Sequence, residues 1–139
     1  MAQGIMKARW EASGRHDIIV TSMGVHGMDA QPPTELAVLV CAENGIDISK
    51  IRSRSIITDE LNITDLILVM EPFQKEFLKT FFPQLSDQIF LLGAYPKHTH
   101  SRKHIIKDPV GGTIRDYRKS FEALAGHIDR IIPLLQAAF

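Results

Sequence analysis

The run Asp65-Leu66-Ile67-Leu68-Val69-Met70 does most to limit what this chain can fold into. Five apolar residues follow one another without the alternation of a half-solvated strand. Such a run reads as a strand buried on both faces, and strands of that kind belong to parallel sheets covered by helices. Gln88-Ile89-Phe90-Leu91-Leu92-Gly93 reads as a second strand, and Asp17-Ile18-Ile19-Val20-Thr21-Ser22, closed by Gly24, as another buried one.

Helical patterns lie between them. Met1 to Ala12 places Ile5, Met6 and Trp10 roughly on one face. Gln31-Pro32-Pro33-Thr34 opens a helix from Glu35 to Asn44, and Gly45 ends it, with proline at the start and glycine at the stop. Thr58-Asp59-Glu60-Leu61 is a short capped turn. Pro72 begins a further helix with Phe73, Phe77, Leu78 and Phe81 on one stripe, and Pro83 ends it. The last helix runs from about Thr113 to Ala138, with Phe121, Leu124, Ile128, Ile131 and Leu135 on its buried face. Alternation of this kind implies a three-layer α/β/α arrangement with a parallel sheet, and 139 residues fit one domain spanning 1–139. Three strands are few for that length, and the chain opens on a helix.

Sixteen basic and sixteen acidic residues cancel, which argues against a nucleic-acid binder held by bulk charge. One cysteine excludes a disulfide framework or a cysteine zinc cluster and fits a reducing cytoplasm. No apolar run approaches the ~18–20 residues of a membrane helix, and the first residues lack the apolar core of a signal peptide. The expectation is a cytoplasmic protein with neither membrane nor nucleic-acid partners.

Ile105-Ile106-Lys107-Asp108-Pro109-Val110-Gly111-Gly112 sets an acid on a proline-stiffened turn between a basic loop and the last helix. A carboxyl group so placed is a candidate general acid. Cys41 is the one thiol, and it is rejected as a nucleophile. Its helix neighbours Val38, Leu39 and Val40 are apolar, and Asp47 stands six residues on where an anion-binding arginine would be wanted. The histidines of His98-Thr99-His100-Ser101-Arg102-Lys103-His104 lack the fixed geometry of a designed metal site, so the segment reads as a basic loop with no metal. Phe73, Phe77, Phe81 and Phe82 read as core.

From Met1 to Phe139 the chain resembles the low-molecular-weight protein tyrosine phosphatases. The likeness is carried by Ser22-Met23-Gly24, Gly45-Ile46-Asp47-Ile48-Ser49, Arg52-Ser53-Arg54, Asp65 to Glu71, Leu91-Leu92-Gly93-Ala94-Tyr95 and Asp108-Pro109-Val110-Gly111-Gly112 in that order. It implies a parallel sheet of order 2-1-3-4 and a phosphomonoester hydrolase needing no cofactor. A cysteine thiolate on a cysteine-x5-arginine loop attacks phosphorus there, and an aspartic acid protonates the leaving oxygen. Asp108 matches that acid, with Pro109, Ser49 and Arg54 as supporting residues.

The resemblance starts just after the catalytic loop, so the central first strand and the nucleophile are expected to be absent. The chain as it stands is then expected to be inactive. Ile51 stands where the family often has a histidine supporting that loop. Val110 and Gly111 stand where aromatic residues wall a phosphotyrosine ring, so a small phosphoester competes with a phosphorylated protein as substrate. Without the central strand, either the two flanking strands pair directly or a second copy covers the gap as a homodimer. The alternatives are a non-catalytic dimeric binding or regulatory relative and, last, an arsenate reductase, which would need further cysteines.

Overall fold

The computed structural model describes residues 1–139. Its elements are α1 (Ala2–Ala12), α2 (Glu35–Glu43), α3 (Thr58–Asn62), β1 (Ile67–Val69), α4 (Pro72–Phe81), β2 (Ile89–Leu91) and α5 (Ile114–Ala138). Short 3₁₀ turns at Pro83–Gln88 and Arg102–His104 lead into β2 and towards Asp108. β1 and β2 pair in parallel, with Ile67 opposite Ile89, Leu68 opposite Phe90 and Val69 opposite Leu91. The chain is thus α/β in the layered sense expected: helices lie over both faces of a parallel sheet.

The pleat of β1 divides the interior in two. Ile67 and Val69 join Leu61, Leu78, Leu85, Ile89, Leu91 and Ala94 in a smaller cluster. Leu66, Leu68 and Met70 pack on the larger one, built from α1, α2 and α5 around Ile5, Val40, Ile48, Ile128 and Ile131. Alternate residues of a strand point to opposite faces, so one apolar run serves both clusters. α5 contributes every residue expected of its buried face, with Tyr117 added, whose hydroxyl accepts from the Thr34 hydroxyl at 3.0 Å. Thr34 also caps α2, accepting from the Ala37 N–H, and Gly45 takes a φ of 75° just past that helix.

Two expectations are corrected here. Asp17–Ser22 is not a buried strand: it forms no ladder, and the one nearby bridge joins Gly24 to Ser55. Ile18 and Val20 pack on the larger cluster while Ile19 is 88% exposed. Half-burial follows because only one side of the run has a helix layer to meet. The run does not close onto β1 either, so the sheet has two strands rather than three. The phenylalanine stripe is the second correction. Phe77 and Phe82 pack on the smaller cluster, but Phe73 and Phe81 are exposed, and α4 buries Lys75 and Leu78.

Candidate functional site

Asp108 sits on a turn fixed at both ends. Upstream, the buried Ile106 donates its backbone N–H to the Met70 carbonyl at 3.1 Å, which fastens the loop to the end of β1. The Asp108 N–H points at Glu71 Oε1, 3.4 Å away. Downstream, Asp108 Oδ1 accepts from the Val110 N–H at 2.9 Å, and the Gly112 N–H donates to the Pro109 carbonyl at 2.8 Å. The turn needs Gly111 at a φ of 84°. Thr113 then opens α5 with a capping box shared with Asp116. The carboxylate is exposed, held on one oxygen, and free to face a ligand with the other.

Burial pushes the Met1 amine, at the head of α1, down from its ordinary pKa, while the charge of Asp108 acts against that shift. α1 has no side-chain cap and no acidic residue in its first turn. Its first N–H groups are therefore unneutralised donors at the positive end of the helix dipole, the usual setting for an anion.

Glu71 is the joint that sequence reasoning missed. It caps α4 reciprocally with Gln74, whose Oε1 accepts from the N–H groups of Met70 and Glu71 at 2.9 and 3.0 Å. Glu-x-x-Gln before an apolar stripe was the available signal. Lys75 was missed as well. It is 5% exposed and donates to the His98 carbonyl at 2.8 Å, fixing the basic loop that precedes Asp108. His98 stacks on Phe90 with ring centroids 4.2 Å apart, and His104 Nδ1 accepts from the Ser101 N–H.

Cys41 is fully buried in α2, and burial pushes its thiol up from the ordinary value. That is the reverse of what a nucleophilic thiolate needs. Ser49 and Arg54 belong to a different neighbourhood. The Ser49 N–H donates to Asp47 Oδ1 at 2.8 Å. Arg54 forms a fork on Glu60, with both N···O distances 2.8 Å, and reaches the Ser22 carbonyl at 3.3 Å. Arg54 lines a groove of about 660 Å³ along α1 with Lys7, Lys50 and Arg52. No hydrogen bond joins either residue to the Asp108 turn, and the Arg54 fork is committed to Glu60.

The family model for low molecular weight phosphotyrosine protein phosphatase matches residues 1–138. A probable low molecular weight protein-tyrosine-phosphatase, EpsP, from Ralstonia nicotianae is 28% identical over 120 residues, covering 86% of this chain and 79% of the relative. Among solved structures, the low molecular weight protein tyrosine phosphatase of T. tengcongensis superposes with a TM-score of 0.86 at 33% identity, covering 95% of this chain and 87% of the other. The YwlE arginine phosphatase of Geobacillus stearothermophilus gives 0.85 at 26% identity, covering 99% and 84%.

Proposed function

Because the chain belongs to the low molecular weight phosphotyrosine protein phosphatase family, we propose that its site is built for phosphomonoester hydrolysis with Asp108 as the general acid. The observation that carries this reading is the exposed Asp108 carboxylate, held on a turn braced by the Val110 N–H and by the Ile106 bond to the end of β1. A phosphate over the amino end of α1 would put its leaving oxygen within reach of Asp108, which would protonate it. The resulting carboxylate would then take a proton from the water that releases phosphate. Pro109 supports the acid by stiffening its turn. Ser49 and Arg54 support from a distance, by ordering the segment beside α1.

The nucleophile is the part these residues do not supply. No cysteine-x5-arginine sequence occurs among the 139 residues, and Cys41 is buried. We therefore expect no turnover from this polypeptide as it stands. Val110 is 68% exposed and neither Val110 nor Gly111, the two residues after Asp108-Pro109, is aromatic, which favours a small phosphoester or a phosphoarginine over phosphotyrosine. The likeness to an arginine phosphatase supports the same preference.

The test is hydrolysis of para-nitrophenyl phosphate by the 139-residue protein. The expected result is no release of nitrophenol above buffer. Vanadate-sensitive turnover would overturn the assignment of the missing nucleophile.

A further inference from the structure

The charge of this chain cancels overall but not locally. From Gln88 to Lys107 there is no acidic residue, while Lys97, Arg102, Lys103 and Lys107 stand close together in sequence, interleaved with His98, His100 and His104. All four fixed cations are exposed. None takes part in an ion pair: those of the chain join Arg9 to Asp129, Arg15 to Asp17, Arg54 to Glu60 and Arg118 to Glu43. The loop that carries them is pinned along its length. The Lys97 N–H donates to the Ala94 carbonyl at 3.0 Å just past β2, and Lys75 Nζ donates to the His98 carbonyl. The His98 ring stacks on Phe90, Ser101 and His104 cap the 3₁₀ turn reciprocally, and the Ile106 N–H closes on Met70 just past β1. Because β1 and β2 run parallel, both ends of the loop lie at the carboxyl end of the sheet, as Asp108 does. Ligands of open α/β sheets gather at that end.

We propose that this loop docks an acidic segment of a phosphorylated protein, a run of Asp, Glu or phosphorylated residues lying beside Asp108. Like charges gathered on a fixed loop repel one another. An anionic partner relieves that repulsion, and the pinned backbone has little order left to lose on binding. Cations spread from one end of the loop to the other exceed what a single phosphate can meet, whereas successive carboxylates of a chain can meet them in turn. A nucleic acid fits less well. The rings of Phe90 and Tyr95 are taken up by each other and by His98, so bases would find no Phe or Tyr beside the loop to stack on. The chain also has no net charge to draw in a polyanion from afar. Between the two substrates named above, the loop selects a phosphoarginine-bearing protein over a small phosphoester. That such a segment brings its phosphate to Asp108 rests on the acid role proposed above; the docking itself does not.

The experiment is fluorescence anisotropy of a fluorescein-labelled peptide of ten glutamates, titrated with the 139-residue protein in about 20 mM and about 150 mM salt. The expected result is saturable binding that weakens at least fivefold at the higher salt, with no binding of a lysine peptide of the same length. Arg102→Glu combined with Lys103→Glu should weaken binding at least tenfold. Lys97→Glu combined with Lys107→Glu should do the same, which keeps the test intact if the first pair fails to fold. Lys7→Glu combined with Lys50→Glu makes the same change of charge in the groove along α1 and should stay within twofold of wild type. Asp108→Asn should bind at least as tightly as wild type, so failure of the docking and failure of the acid role are seen separately. Three outcomes overturn the proposal: no binding of the glutamate peptide; equal weakening by the Lys7 and Lys50 pair, which would reduce the effect to net charge; and tighter binding of an oligothymidylate of the same length, which would identify a nucleic acid as the occupant.

Discussion

Ile106 closes onto the end of β1, its backbone N–H donating to the Met70 carbonyl at 3.1 Å while its side chain is 5% exposed. The contact holds Asp108, two residues on, at the carboxyl end of the strand. Ile106→Ala would empty that seat, and the expected cost is about 3 kcal/mol, within the usual range for a buried isoleucine. Urea denaturation followed by circular dichroism checks this. A change under about 1 kcal/mol would mean that the side chain does not anchor the turn.

Gly93 is a close-approach glycine. A Cβ there would lie 2.1 Å from the His104 carbonyl oxygen, inside any tolerable contact. Gly93→Ala should push the Arg102–His104 turn off the end of β2 and cost about 1–3 kcal/mol, read from the melting temperature. An unchanged melting temperature would show that the loop does not rest on Gly93.

The Arg54–Glu60 fork predicts an acid limb of stability. The guanidinium of Arg54 holds the Glu60 carboxyl below its ordinary value. A depressed carboxylate adds stability above its unfolded-state value, about 4.3, and that stability is lost as pH falls through the folded-state value. The difference in melting temperature between wild type and Glu60→Gln should therefore shrink between about pH 5 and pH 3. A constant difference across that range would remove the ion pair from the explanation.

Lys75 works in the opposite direction. Burial lowers its pKa from the ordinary lysine value, with Lys79 adding to the shift. Folding therefore disfavours the charged form, and stability should rise as pH climbs towards about 10.4, where the unfolded lysine also loses its proton. Lys75→Met should flatten that rise, measured by thermal melts from pH 7 to 10. Its loop should also exchange amide protons faster, because the bond to the His98 carbonyl is gone.

Cys41, fully buried and with its thiol pushed up, should resist an aromatic disulfide reagent in the native protein and react at once in urea. Rapid native labelling would reopen it as a reactive group.

The Asp-Pro turn was legible because proline, glycine and an acid at fixed spacing imply their own local geometry, and the turn has that geometry. Its bracing was not legible. Glu71 and the Met70 carbonyl reach it from the end of β1, across 37 residues in the case of Glu71, and no local pattern encodes such a contact. Arg54 illustrates the same limit: its presence beside Ser49 could be read, but its commitment to Glu60 could not.

The sequence by itself determined the helices and the buried faces of α1 and α5, because a helix satisfies its backbone within its own span and shows its apolar stripe at a fixed period. It determined β1 and β2 for a related reason, since continuous apolar runs have nowhere to go but between layers. Only the tertiary structure decided that Asp17–Ser22 stands unpaired, that Phe73 and Phe81 face outward and that Lys75 is buried. A strand draws its hydrogen bonds from a neighbour, and a side chain's burial depends on which layer arrives opposite it. Neither is written in the residue's own stretch of chain.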